Sequence, residues 1–214
     1  PSNDFGAFLA SGMQDRSLLT GPYPDDGWGW RRPGDPKKWW FVAYYNHWAW
    51  MREIIPGVLA LSRAYLLTGQ EGYAHKAGLL LNRIADVYPE MDHNRQSRWA
   101  TEFAPKYTGR IVNMIWECGV ASNLSEAYDN IFDGIERAKG LQERLGRSSA
   151  EVYAHIDRNL MAEFVRGVYN KQIYGNYGMH QHTLMTAAVV RQAGDEEEVV
   201  DFLGAWHLER VDRP

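Results

Sequence analysis

The spacing of apolar residues on either side of Gly69 constrains the fold more than any other feature of the sequence. Intervals of three and four residues place side chains on one face of an α-helix. The apolar side chains that keep these intervals before the glycine are Ile54, Val58, Leu61 and Tyr65. Those that keep them after it are Tyr73, Ala77, Leu80, Ile84 and Val87. Gly69 suits a left-handed helix end, so the pattern predicts two helices joined as an antiparallel hairpin.

The rest of the chain predicts further helices and no strands. Pro56 and Pro89 interrupt the pattern, and Ser148 with Glu151 forms a capping box before another helix. The inward face of that helix is predicted to carry Tyr153, Ile156, Leu160, Phe164 and Val168. The other predicted helices span residues 39–55, 57–68, 109–122, 125–139, 177–192 and 195–206. No alternating run or tight hairpin turn is found, so the chain is predicted to be all-α. Its hairpins lack a fixed period, which favours a ring over a regular solenoid.

Two regions are predicted to make up the chain. Residues 1–38 are rich in glycine and proline and read as a loop segment packed on the domain. Residues 39–214 form the helical domain. Six of the nine tryptophans lie between Trp28 and Trp50. Such a cluster suits either a half-exposed surface that meets sugar rings or a dense core.

Composition excludes several classes of function. The net charge is −4 with both signs interspersed, so no nucleic-acid partner is expected. No stretch approaches the ~20 apolar residues of a membrane span, and no signal peptide is seen. The single cysteine, Cys118, lies among apolar residues and is read as a small core side chain.

A polar cluster between two apolar helices is the best-marked candidate site. Its members are Asn176, Tyr177, His180, Gln181 and His182. Asn176 is expected at or next to a helix N-cap, which is a structural role, but that role leaves the later polar residues unexplained. A helix N-terminus favours anions, and Asn176 there could donate hydrogen bonds to a carboxylate. His180 and His182 are two residues apart and point in different directions on a helix, so no metal site is expected.

Two further clusters are candidates. Arg110, Asn113 and Glu117 are spaced three and four apart near Trp116, which predicts either a binding face or a surface face with an Arg–Glu pair. Trp48 and Arg52 are four apart and could clamp a ligand. Asn46 and His47 beside them are weaker candidates.

With these segments in view, the chain resembles the N-terminal helical domain of the heparinase II/III-like and alginate-lyase polysaccharide lyases. The resemblance rests on residues 39–48, on 64–69 with Tyr73 and Ala74, and on two short motifs. The motifs are Gly109-Arg110-Ile111 and Gly175-Asn176-Tyr177. The resemblance covers most of residues 39–206.

The resemblance implies an incomplete α/α toroid followed by a C-terminal β-sheet domain. It implies β-elimination of an acidic, uronic-acid polysaccharide such as alginate or a glycosaminoglycan, without a cofactor, in the periplasm or outside a bacterial cell. An Asn neutralises the substrate carboxylate in the family, while Tyr and His act as base and acid. These roles carry over to Asn176 and His180 as catalytic residues. The family's catalytic Tyr lies well after the Asn, and none of Tyr107, Tyr174 and Tyr177 matches it, so the catalytic set is expected to be incomplete here.

The expected substrate-binding residues are drawn from all three clusters. They are Tyr177, Gln181, Arg110, Asn113, Trp116, Glu117, Trp48 and Arg52. Two alternatives stay open. A glycoside hydrolase on the same ring needs two carboxylates across a cleft, with candidates Asp25, Asp26, Glu102 and Glu117. A non-catalytic carbohydrate-binding domain would use the tryptophan cluster alone.

Overall fold

A computed structural model describes residues 5–26, 29–36, 38–39, 41–93 and 108–191. This part of the chain is mostly helical, which confirms the predicted all-α class. Several predictions lie outside these residues, namely those on Trp28, Glu102, Tyr107 and the final helix with its capping box at Asp195.

The α-helices, numbered along the chain, are α1 (Phe5–Ala10), α2 (Phe41–Ala49), α3 (Ile55–Thr68), α4 (Glu71–Val87), α5 (Met114–Asn130), α6 (Phe132–Arg137), α7 (Lys139–Leu145), α8 (Ser149–Ile156), α9 (Ala162–Tyr169) and α10 (Met179–Val190). Single π-helical turns join α2 to α3 (Trp50–Ile54) and α8 to α9 (Asp157–Met161). Short 3-10 turns span Arg16–Leu18 and Tyr88–Glu90.

The predicted hairpin is confirmed. Helices α3 and α4 are joined by two residues, and Gly69 adopts the left-handed conformation at φ 66° while its N–H donates to the Tyr65 carbonyl. The predicted inward residues Val58, Tyr65, Ala77 and Ile84 are buried, but the prediction is wrong for Leu80, which is exposed while Leu81 is buried. The hairpin therefore contributes one continuous apolar face to the core.

The predicted break at Pro56 is wrong, because the backbone is helical from residue 41 to residue 68. Pro56 lies in the first turn of α3, and the preceding π turn is closed by the Ile55 N–H donating to the Trp50 carbonyl. In a regular helix a proline ring collides with the carbonyl four residues earlier. The wider π turn relieves that collision, so the helix continues.

Two predicted helices have different bounds in the structure. The chain predicted as 109–122 and 125–139 instead forms α5, α6 and α7. Helix α5 continues through Ser125 because that side chain is buried and its hydroxyl contacts the Met161 sulfur at 3.5 Å. The start at Gly109 is also wrong, since a tight turn precedes α5. The helix that starts after Ser148 is confirmed, with both capping-box hydrogen bonds present.

The core lies between α3, α4, α5, α8, α9 and α10. Its largest fully buried side chains include Tyr88, Leu81, Leu124 and Phe164. Arg63 pairs with Glu126 at 2.7 Å, and Asn130 donates to Ser62 at 3.2 Å. Trp48, which precedes α3, and Trp116, in the first turn of α5, line one cavity. Because these contacts follow the same order along both segments of the chain, α3 and α5 run side by side in the same direction.

The N-terminal segment contains more structure than a loop. It holds α1 and a two-stranded antiparallel pair, β1 (Trp30–Arg31) and β2 (Lys38–Trp39), in which Trp30 lies opposite Trp39. The prediction of no strands is therefore wrong here. The strands are two residues each and flank a turn at Pro33 and Gly34, so they leave no alternating pattern to detect. Among the described residues, no helix is long and apolar enough to cross a membrane.

Candidate functional site

The three clusters identified in the sequence meet at one end of the helical domain, around the first turn of α5. The Met114 carbonyl accepts a hydrogen bond from the Tyr174 N–H at 3.0 Å, which ties the segment before α10 to this turn. On the other side, Trp116 lines a cavity together with Trp48 and Arg52. Residues far apart in sequence are thus neighbours in the fold.

A tight turn before α5 sets this arrangement. Gly109 has φ +135° and forms an isolated bridge with Asn113, and a Cβ on Gly109 would lie 1.9 Å from the Val112 carbonyl oxygen. Only glycine fits this geometry. The Gly109 carbonyl also accepts from the His93 N–H at 3.1 Å, which anchors the turn to the end of the hairpin.

Asn113 caps α5. Its Oδ1 accepts from the N–H groups of Ile115 and Trp116 at 3.3 and 3.5 Å. The predicted shared helix face of Arg110, Asn113 and Glu117 is therefore wrong, since α5 begins only at Met114. The cap satisfies helix N–H groups, so the Asn113 side-chain oxygen is committed to the fold.

The cavity beside this turn has a volume of about 350 Å³ and is lined by His47, Trp48, Met51, Arg52 and Trp116. Trp116 and Trp48 are 60% and 45% exposed, which is unusual for tryptophan. Arg52 is also exposed, and within the described ranges no carboxylate pairs with it. The cavity therefore offers two open indole surfaces and one available cation.

His47 gives this cavity a proton acceptor. Burial lowers the pKa of His47 below its ordinary value of 6.5. The neighbouring His93, whose ring centroid is 6.3 Å away, has its pKa lowered to about 4, first by burial and then by the charge of His47. Both rings are accordingly neutral at pH 7.

Glu117 is fully buried rather than on a binding face. Its Oε1 accepts from the Tyr88 hydroxyl at 2.9 Å, and its Oε2 accepts from the N–H groups of Val112 and Arg110 at 2.8 and 3.3 Å. Burial raises the pKa of the Glu117 carboxyl to about 7, although these hydrogen bonds and the Arg110 charge oppose the rise. The prediction that Glu117 binds substrate is not supported by this position.

The Arg110 guanidinium is buried and committed to protein partners. It donates to the carbonyls of Tyr88 and Pro89 at 3.2 and 2.7 Å, and it forms an ion pair with Glu163. The predicted surface pair of Arg110 with Glu117 is therefore wrong. A buried ion pair broken at one partner is strongly destabilising, which makes Arg110 a structural residue of the site's floor.

Asn176 lies in the turn before α10, two residues ahead of the cap. Gly178, at φ 94°, is the N-cap of α10. The Asn176 carbonyl accepts from the Met179 N–H at 3.0 Å, while its side chain is exposed. The expected N-cap role is thus filled by another residue. Gln181 completes the turn by accepting from the Gly178 N–H at 2.7 Å, so its amide oxygen serves the fold.

His180 is buried behind this turn. It is 2% exposed, its ring packs 4.4 Å from that of Tyr174, and its Nδ1 accepts from the Gly175 N–H at 3.4 Å. The rings of Tyr174 and Tyr177 are exposed, at 39% and 60%. His180 therefore supports the turn from below, while Tyr174, Asn176 and Tyr177 form its outer surface.

Other chemistries find little support in the described part of the chain. No group of three or more His, Cys, Asp or Glu residues there could hold a metal ion. Cys118 is buried, as predicted, and burial raises the pKa of its thiol to about 11. A thiol with such a pKa is a poor nucleophile.

Of the four carboxylates expected for a glycoside hydrolase, the three that the structure describes are held by partners within the protein. Asp25 is buried and accepts from the Gly29 N–H at 2.9 Å, Asp26 pairs with Arg16, and Glu117 is in the core. Glu102 lies outside the described residues.

His47 is only a weaker candidate in the sequence, yet it lies on the cavity wall. The signal was present, because His47 and Met51 repeat the four-residue spacing of Trp48 and Arg52 one position earlier. Two adjacent rows of a helix can line one cavity.

The chain matches no protein-family model, no curated protein and no solved structure.

Proposed function

We propose that this chain is the helical domain of a polysaccharide lyase that cleaves uronic-acid polymers by β-elimination. Its hairpins then form part of an incomplete α/α toroid, and a C-terminal β-sheet domain supplies the rest of the active site. The observation that carries the proposal is the cavity at the start of α5. It combines two exposed indoles, an arginine without a carboxylate partner in the described ranges and a neutral imidazole, next to the turn that carries Asn176.

Substrate binding follows from the surfaces in the cavity. The indoles of Trp48 and Trp116 offer flat apolar faces to sugar rings, with an N–H at the edge for a hydroxyl. Arg52 attracts the substrate carboxylates and can bind one through two parallel hydrogen bonds. A polyuronate carries one such carboxylate on every ring, so a cleft with an unpaired cation favours it over neutral glycans.

The reaction needs three events at one sugar unit. The proton α to the carboxylate is removed, a carbon–carbon double bond forms, and the glycosidic C–O bond breaks as the leaving oxygen gains a proton. Asn176 donates hydrogen bonds to the carboxylate, which stabilises the charge that develops when the proton leaves. Its exposed position on the turn leaves the amide accessible to a bound sugar.

His47 takes the role of proton acceptor in this proposal. It lines the cavity and is neutral at pH 7 because burial lowers its pKa. His180 has only 2% of its surface exposed, so it acts as a positioning residue that holds the turn bearing Asn176. The acid that protonates the leaving oxygen comes from the expected Tyr beyond this turn.

A matched pair of variants tests the proposal in the protein that includes the expected β-sheet domain. Alginate, heparin, chondroitin and ulvan are incubated with the enzyme, and ultraviolet absorbance records the unsaturated product. Asn176→Ala is expected to lower turnover about 100-fold or more, as loss of one donor to a developing oxyanion does. Asn170→Ala removes the same group from an exposed position at the end of α9 and is expected to leave turnover unchanged.

Several outcomes separate the possibilities. Equal turnover by both variants would remove Asn176 from the mechanism. No unsaturated product from any of the four polymers would refute the lyase proposal. Binding of a polyuronate without turnover, weakened by Trp116→Ala, would instead identify a non-catalytic carbohydrate-binding domain, which the exposed Trp48 and Trp116 also suit.

A further inference from the structure

A second cavity lies in the N-terminal segment, on one face of the β1–β2 pair. Its volume is about 570 Å³, and it is lined by Tyr23, Trp30, Arg32, Asp35 and Trp39. None of these residues lines the cavity beside α5. A volume in this range accommodates a small-molecule ligand.

Strand pairing explains why the aromatic residues share this cavity. Trp30 and Trp39 are directly opposite each other, so their side chains leave the same face of the ladder. Tyr23 packs edge-on against Trp30, with ring centroids 5.0 Å apart and planes at 85°. Side chains alternate between faces along a strand, which puts Arg32 on the side of Trp30 and Arg31 on the other.

The exposure of these rings is the unusual feature. Tyr23 and Trp39 are 44% and 39% exposed in a segment otherwise rich in polar, glycine and proline residues. Cross-strand aromatic pairs stabilise a ladder of only two residue pairs, yet much of the surface of Tyr23 and Trp39 remains open to solvent. Clustered exposed aromatics of this kind mark a binding surface.

The polar groups at the rim define the ligand. The Asp35 N–H donates to the Arg32 carbonyl at 3.0 Å, so both side chains flank one turn. Arg32 supplies hydrogen-bond donors and Asp35 supplies acceptors. Sugar hydroxyl groups both donate and accept hydrogen bonds, so a neutral ligand rich in hydroxyl groups matches both of these side chains. Among the described residues that line the cavity beside α5, in contrast, Arg52 has no carboxylate beside it.

We propose that the β1–β2 face is a binding site for a neutral pyranose unit of a glycan, separate in its residues and its ligand from the proposed lyase site. The apolar face of the sugar ring packs on Trp39 and Trp30, and its hydroxyls bond to Arg32 and Asp35. The site gives the protein a second contact with a carbohydrate that is independent of turnover.

Calorimetric titration of the full chain with cellohexaose, and separately with a mannuronate hexamer, tests the site. Cellohexaose is expected to bind, about tenfold or more weaker to Trp39→Ala and to Arg32→Gln, as loss of stacking or of a charged hydrogen bond implies. The control Arg31→Gln changes the adjacent arginine, which does not line the cavity, and should bind within about twofold of the wild type. Trp39→Phe keeps a flat ring and should retain most of the affinity.

Failure of this proposal can be told apart from failure of the lyase proposal. Asn176→Ala should bind cellohexaose as the wild type does, and Trp39→Ala should keep its turnover of polyuronates. No binding of cellohexaose by the wild type, or binding that survives both Trp39→Ala and Arg32→Gln, would overturn the proposed site. Binding of the mannuronate hexamer alone at this face would overturn its assignment to neutral sugars.

Discussion

Replacing Glu117 with glutamine should remove the loss of stability that the wild type shows as the pH rises from about 4.5 to about 7. Glutamine has the same shape, and its oxygen can accept from the N–H groups of Val112 and Arg110. Its NH2 replaces the O–H of the neutral carboxyl as the donor to the Tyr88 oxygen. The substitution therefore keeps the hydrogen bonds of the neutral carboxyl and removes only its titration.

The magnitude follows from the pKa of Glu117, which burial raises from 4.5 to about 7. Between these values the folded protein keeps the proton and the unfolded chain loses it. The contribution of the protonated Glu117 to the free energy of unfolding is thus complete below about pH 4.5, decreases as the pH rises, and is lost above about pH 7. Each pKa unit corresponds to about 1.4 kcal/mol. The free energy of unfolding of the wild type should therefore fall by about 3 kcal/mol relative to that of Glu117→Gln across this window.

Urea unfolding of both proteins in steps from about pH 4.5 to about pH 8 measures this difference. Glu143→Gln changes an exposed carboxyl on α7 and serves as the control for the loss of one carboxyl outside the core. If the wild type and Glu117→Gln keep a constant difference in unfolding free energy, Glu117 is ionised in the core. The reasoning from burial would then be refuted, and the Arg110 charge with the three hydrogen bonds would outweigh desolvation.

Further outcomes are expected for changes at two glycines, at a helix cap and at His47. Gly109→Ala should lower the free energy of unfolding in urea by about 3 kcal/mol or more, because its Cβ meets the Val112 carbonyl at 1.9 Å. Gly119→Ala, whose Cβ meets nothing within 4 Å, should raise it by up to about 1 kcal/mol. Ser148→Ala removes a confirmed cap and should cost about 1 kcal/mol by thermal unfolding. Lyase turnover should fall only below pH 6.5, where His47 gains a proton, and His47→Gln should abolish it; a wild-type rate that rises towards acid pH would contradict this role.

Local signals in the sequence predicted much of the fold. The hairpin at Gly69 and the capping box at Ser148 depend on residues within one helical turn, so their sequence patterns are sufficient. The start of α5 could not be found in this way. Ile111, Ile115 and Cys118 keep helical spacing, yet the turn at Gly109 is fixed by the His93 N–H from the preceding hairpin.

The candidate site was predicted in its location more than in its roles. Three clusters were identified, and the structure brings all of them to the first turn of α5. Which side chains face outward depends on packing between distant helices. Glu117 and Arg110 are turned into the core by Tyr88 and Glu163, and spacing along one helix contains no information about those partners.

The π turn between α2 and α3 also determines the phase of the cavity wall. An α-helix rotates by about 100° for each residue, and a π turn holds one residue more than an α turn. If the same residues were wound as regular α-helix, Trp48 would rotate about 100° relative to the core face of α3, whereas removing one residue of the turn would leave its direction nearly unchanged. The π turn therefore lets one continuous helix bury a face in the core after residue 54 and direct Trp48, which precedes the turn, towards Trp116.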